Sequence, residues 1–266
     1  MDTTFTAQHR GGAGSPMVLL HGFSDTWRTW ELVLPALERR HDVLAPTLLG
    51  HAGGPPVGEE PNIERIAEAI ERSMDEAGFE TAHLVGNSLG GYVALQLAAR
   101  GRARSVVAFA PAGGWLEGDG SFGETLDRQA ATIEALRVMA PQAPALLATL
   151  DGRRRATASI TVNFEHIRVE LIAHLMLGAA CSTAALPLIE HAHRNGWRIE
   201  PERIACPVRV VWGTEDRLLP WPAAAARFRG EWLPHADWIE LDEVGHCPQL
   251  DVPVEAAELI AGFTAP

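Results

Sequence analysis

Gly86-Asn87-Ser88-Leu89-Gly90-Gly91-Tyr92 decides how this chain is read. His83-Leu84-Val85 before it ends an apolar run with the texture of a buried strand, and Val93 to Ala99 after it reads as helix. The G-x-S-x-G glycines therefore fall in the turn between a strand and a helix. Such a turn forces its central residue into a strained backbone conformation, and only small residues at 86 and 90 let the flanking elements approach closely enough. Ser88 is thus the candidate nucleophile.

Outward from that turn, short apolar runs alternate with helical patterns. The runs are Met17–Leu20, Val43–Ala45, Leu84–Val85, Val106–Phe109, Val208–Trp212 and Trp238–Leu241, with helices expected near 27–38, 62–77, 89–100, 222–230 and 253–263. That alternation predicts an α/β fold with a parallel sheet covered on both faces. The rhythm breaks between about Gly113 and Pro201, which is rich in Ala, Leu, Ile and Met and offers no strand. The expected organisation is a core of residues 1–112 and 202–266 interrupted by a helical lid, 113–201. Trp115, Met139, Phe164, Met176 and Leu177 are candidates to line an apolar pocket beneath that lid, although forming its own core is the safer description, since a lid helix must bury one face in any case.

A serine hydroxyl is a poor nucleophile at neutral pH. It needs a base within hydrogen-bond reach and a third group to fix that base's tautomer. Gly213-Thr214-Glu215-Asp216 follows the Val208–Trp212 run, and Val244-Gly245-His246-Cys247 follows Trp238–Leu241, so both lie where open α/β sheets build their sites, past the carboxyl ends of strands. Asp216 is the favoured acid, with Glu215 its rival, and His246 is the favoured base. Leu19-Leu20-His21-Gly22-Phe23 ends another strand in a His-Gly turn, where the Phe23 N–H, paired with that of Leu89, can donate to an oxyanion.

Composition narrows the remaining classes. With 266 residues, 47% of them hydrophobic, the chain can bury a large core. A formal charge of -12 repels nucleic-acid phosphates and anionic lipid head groups, so neither is an expected partner. Cys181, Cys206 and Cys247 lie far apart without metal-ligand or disulfide-framework spacing, which fits a reducing compartment. No apolar run approaches the ~18 residues that span a bilayer, and the first residues lack the pattern of a leader, so a cytoplasmic location is expected. His191-Ala192-His193 places its imidazoles on different helix faces, and no metal is expected. Arg153-Arg154-Arg155 reads as a solvated face.

Taken together, His21-Gly22-Phe23, Gly86-Asn87-Ser88-Leu89-Gly90-Gly91, Gly213-Thr214-Glu215-Asp216 and Gly245-His246 resemble the α/β-hydrolase superfamily, in particular its small lidded bacterial esterases and carbon–carbon hydrolases. Asp216 follows Ser88 by 128 residues and His246 follows Asp216 by 30, in the superfamily's order. The resemblance implies an eight-stranded, mostly parallel sheet, no cofactor, and a site beneath the lid. It implies a serine hydrolase acting on a small-molecule ester. A diketone of the meta-cleavage type, a lactone, a thioester and a ligand-binding role without turnover are the alternatives. Two departures stand out: Thr47 and Ala52 replace an acid and a glycine of a common Asp-x-x-Gly-His-Gly loop, and Cys247 stands where meta-cleavage hydrolases commonly carry tryptophan. The second weakens the carbon–carbon reading.

Overall fold

The computed structural model describes residues 4–58 and 61–264. Its sheet is built from β1 (Gln8–Gly12), β2 (Ser15–Leu20), β3 (His41–Pro46), β4 (Ala82–Asn87), β5 (Ala103–Phe109), β6 (Val208–Gly213) and β7 (Asp237–Leu241). In space the order is β1-β3-β2-β4-β5-β6-β7, with every neighbouring pair parallel except β1 and β3. Seven strands, not the expected eight, are present among the described residues. The expected sheet class holds. β1 escapes sequence reading because Gln-His-Arg-Gly-Gly has no apolar alternation; it is an edge strand, held to β3 by its backbone.

The strands alternate strictly between two cores. Val18, Leu84, Val106 and Val210 face one side with Ile66, Ile70 and Met74 of α2 (Ile63–Glu76) and Leu97 of α3 (Leu89–Ala99). Met17, Leu19, Val85, Val107 and Val211 face the other with Leu34 and Leu37 of α1 (Leu34–Leu37). Consecutive Val, Leu and Met residues are required because a parallel sheet covered on both sides exposes neither face. Asn62 starts α2 by accepting the Arg65 N–H, which satisfies one of the orphan donors of the first turn.

The segment between β5 and β6 has helices as its regular elements among the described residues, chiefly α4 (Ser121–Met139), α5 (Ala143–Leu147), α6 (Leu150–Thr157), α7 (Val169–Cys181) and α8 (Ala185–Asn195), joined by irregular loops. Its far end is tied back by the chain's one tyrosine: Tyr92 donates its hydroxyl to the Arg198 carbonyl and accepts the Arg198 N–H at 3.0 Å. Its middle is tied to the core by the Arg168–Glu31 ion pair and by His174 on Thr26. No single described helix is long and apolar enough to cross a membrane; α7 and α8 reach that length only as a pair bent by 64°. After β7 come α9 (Pro248–Asp251) and α10 (Pro253–Phe263), the latter adding Ile260 to the second core.

β2 lies between β3 and β4, so the chain leaves β2 in one direction and later resumes on its other side. Such a reversal opens a crevice past the carboxyl ends of the two strands. Phe23 follows β2 and Ser88 follows β4.

Candidate active site

Ser88 sits at φ 56° and ψ -118°, the strained conformation expected of a strand-to-helix elbow. The surrounding backbone enforces it. A Cβ on Gly86 would lie 2.2 Å from the Gly90 carbonyl oxygen, and one on Gly90 would lie 2.1 Å from that of Leu20. The elbow is stitched down by Ser88 N–H to the Phe109 carbonyl at 2.8 Å and Ala112 N–H to the Ser88 carbonyl at 3.1 Å.

The loops after β6 and β7 are laced together. β6 and β7 pair through Gly213 opposite Leu241; beyond them Thr214 N–H donates to Leu241 and Glu215 N–H to Val244. Gly213 has to be glycine, since a Cβ there would lie 2.2 Å from the Val244 carbonyl oxygen. This lacing brings His246 Nδ1 to 2.7 Å from Asp216 Oδ2, with both side chains sealed from solvent. The carboxylate only accepts, so Nδ1 carries the proton and Nε2 is left as the acceptor. Asp216 Oδ1 takes the N–H groups of Leu218 and Leu219, at 2.9 and 2.7 Å, which fixes the carboxylate plane. Glu215 is exposed; Asp216, not its neighbour, reaches the imidazole.

His246 Nε2 is buried and has no hydrogen-bond partner among the described residues. His246 borders the same cavity as Ser88, about 210 Å³ in volume, which also meets Phe23, Asp25, Arg128 and Arg217. The N–H groups of Phe23 and Leu89 likewise have no partner among the described residues, and both residues border a second, smaller cavity beside Ser88. His21 steadies the Phe23 turn. Its Nε2 accepts the Leu48 N–H at 2.8 Å, so its Nδ1 proton goes to the Gly22 carbonyl at 2.8 Å. Burial, reinforced by neighbouring His51, pushes the His21 imidazole well below its usual range and keeps it in this neutral form.

Several contributors carried no sequence signal. Asn87 Nδ2 donates to the carbonyls of Phe109 and His246, and its Oδ1 accepts from Gln249 Nε2 and Cys247 Sγ. Asp251, buried, accepts the N–H groups of Gly245, Val162 and Asn163 and the Asn163 amide. Asp25 accepts the Thr26 N–H at 2.7 Å, and burial at the cavity wall pushes its carboxyl up to about 7. Asn87 and Asp251 draw partners from remote segments, and Asp25 is distinguished by its burial at the cavity and not by its bond to the adjacent Thr26, so spacing alone reveals none of the three. Burial raises the Cys247 thiol well above its ordinary range, in keeping with a packing residue.

The pocket candidates divide. Met176 borders the larger cavity and Trp115 the smaller. Met139, Phe164 and Leu177 border neither. Met139 continues the stripe of Gln129, Thr132, Ile133 and Leu136 but is the last residue of α4, roughly 4.5 Å past Leu136 along the axis, and is 39% exposed. Leu177 points about 100° away from Met176, off the face formed by Ile172, Leu175, Met176 and Ala179. Phe164 packs behind the cavity with Leu171, Cys247 and Leu250, its ring under Arg154.

The family model for the alpha/beta hydrolase fold matches residues 15–253. Epoxide hydrolase EphH of Mycobacterium tuberculosis is 35% identical over 199 residues, spanning 74% of this chain and 92% of that protein. The pimeloyl-[acyl-carrier protein] methyl ester esterase of Aromatoleum aromaticum is 30% identical over 266 residues, spanning 92% and 96%. Among solved structures, a thermophilic esterase from Thermogutta terrifontis superimposes with a TM-score of 0.74 over 97% of this chain and 92% of its own, at 19% identity, a likeness of fold. With strand order, elbow and family match in agreement, the chain belongs to the α/β-hydrolase fold family.

Proposed function

We propose that this protein is a serine hydrolase that cleaves a small carboxylic ester through an acyl-enzyme, with Ser88 as nucleophile, His246 as general base and then acid, and Asp216 as the group that orients the imidazole. The observation carrying the reading is the sealed 2.7 Å pair of His246 and Asp216, which leaves His246 Nε2 unpartnered in a residue that borders one cavity with Ser88. Ser88 Oγ attacks the carbonyl carbon and His246 Nε2 takes its proton, returning it to the departing alcohol; water repeats the sequence on the acyl-enzyme. The Phe23 and Leu89 N–H groups receive the oxyanion, where loss of one donor typically costs about 10²–10³-fold in rate. The helices between β5 and β6 act as the lid.

The relative named as an epoxide hydrolase suggests another bond, and chemistry argues against it at this elbow. A serine opening an epoxide becomes an ether, which water does not readily release, whereas an acylated serine is an ester and turns over. The carbon–carbon alternative shares the nucleophile and needs a diketone substrate.

A fluorophosphonate probe tests the reading on the purified chain. Wild-type protein is expected to label at Ser88 and to turn over p-nitrophenyl acetate, while Ser88→Ala, folded as judged by circular dichroism, does neither. Undiminished turnover by that variant removes Ser88 from the mechanism. A ring-cleavage dienoate assayed alongside separates ester from carbon–carbon hydrolysis.

A further inference from the structure

Ser88 stands between two cavities of unequal size. The larger, about 210 Å³, is bordered by His246 and by Ile133, Leu136, Ile172 and Met176 of the lid. The smaller, about 30 Å³, is walled by Trp115, Phe122, Leu126, Leu188, Ile189 and Trp197. His246 borders only the larger and Leu89 only the smaller, while Ser88 and Phe23 border both. This asymmetry gives the site a direction.

The direction follows from where the proton must go. When the tetrahedral intermediate collapses, the bond from the carbonyl carbon to the alcohol oxygen breaks, and that oxygen takes the proton held on His246 Nε2. The departing alcohol therefore lies on the His246 side, in the larger cavity. The carbonyl carbon stays bonded to Ser88 Oγ with its oxygen at the Phe23 and Leu89 N–H groups, so the rest of the acyl group extends on the Leu89 side, into the smaller cavity. A volume of 30 Å³ holds about two or three non-hydrogen atoms. Its walls are rigid aromatic and branched side chains packed into the core: Trp115 is 5% exposed and rests on Phe122, with ring centroids 5.4 Å apart.

We infer that the substrate is a short-chain acyl ester, of acetyl to butyryl size, of a larger and largely apolar alcohol. The inference rests on the serine-hydrolase reading above and deepens it. A longer acyl chain has to displace the wall of the small cavity or turn back across the oxyanion position, and either response lowers kcat/KM.

Hexyl acetate and ethyl hexanoate test this cleanly, because they are constitutional isomers of matched size whose acyl and alcohol parts are exchanged. Wild-type protein is expected to hydrolyse hexyl acetate with kcat/KM at least about tenfold above ethyl hexanoate. Equal rates, or a preference for ethyl hexanoate, overturn the assignment. Ile189→Ala, which enlarges only the small cavity, is expected to narrow the ratio, and an unchanged ratio in the folded variant also counts against it; should that variant fail to fold, the wild-type ratio decides alone. Fluorophosphonate labelling of Ser88 without turnover of either isomer overturns the substrate class while the nucleophile stands. Absence of both labelling and turnover removes the serine-hydrolase reading itself, and this proposal with it.

Discussion

Asn87 Nδ2 donates a hydrogen bond to the main-chain carbonyl of His246 at 3.0 Å, so the residue preceding the candidate nucleophile holds the backbone of the candidate base. β5 and β6 separate the two strands that carry these residues, and the sheet alone does not bring their loops together. The Asn87 amide spans the gap, with Gln249 and Cys247 satisfying its oxygen.

Asn87→Ala therefore leaves the buried carbonyl of His246 without its amide donor. The expected cost is about 1–3 kcal/mol of stability, measured by urea denaturation. Small misplacements of reacting groups are expensive, so kcat should fall about tenfold or more with KM nearly unchanged. A stability loss with wild-type kcat would reduce Asn87 to a packing role.

Asp251 joins the histidine loop to the helical segment between β5 and β6. One carboxylate oxygen takes Gly245 N–H at 2.6 Å and Val162 N–H at 2.8 Å, the other the Asn163 N–H and amide at 2.7 and 2.9 Å. Cys247 N–H on the Ile160 carbonyl adds a second stitch between the same segments. Hydrogen bonds to a charged acceptor contribute about 1.5–3 kcal/mol each. Asp251→Ala is expected to lose at least about 3 kcal/mol and to make the 160–163 segment exchange its amide hydrogens faster. Protection there equal to wild type would show that this segment is held elsewhere.

Asp25 makes stability depend on pH with a definite sign. Its folded carboxyl titrates at about 7 against an ordinary value of 3.8, because burial penalises the anion. Between those values the native state holds the proton more tightly than the unfolded chain. The contribution is complete below about 4 and is lost as pH rises through about 7. Allowing for its partial contact with solvent, the swing amounts to about 2 kcal/mol. Asp25→Asn should remove it: relative to wild type, the variant gains stability at pH 8 compared with pH 5 in paired urea titrations. A difference that does not vary with pH would contradict the assignment.

Two glycines give opposite expectations for the same substitution. Gly86→Ala pushes a methyl group to 2.2 Å from the Gly90 carbonyl oxygen, in backbone that cannot yield, and should cost about 3 kcal/mol or more or abolish soluble expression. Gly262, within α10, has open space where a Cβ would stand. Gly262→Ala should raise stability by about 0.5 kcal/mol by restricting the unfolded chain. Thermal melts of the two variants read both effects.

The sequence by itself determined the layered α/β plan, because strands buried on both faces must be continuous runs of Val, Leu and Met, and such runs are visible without coordinates. It also singled out Ser88, Asp216 and His246, since a tight elbow demands glycines and loop residues past strand ends stand out against apolar neighbours. β1 was invisible, being an edge strand of polar residues and glycines held by backbone bonds. The sequence favoured Asp216 with Glu215 as its rival, and which of the two adjacent carboxylates turns inward fell to the tertiary structure. So did Asn87 and Asp251, whose partners lie in distant segments, Asp25, which is set apart by its burial at the cavity, and the pocket, where Leu177 and Met176 differ by one residue and about 100° of direction about the helix axis. Periodicity records which residues avoid water; only packing decides which of them face a cavity, because that depends on what stands opposite.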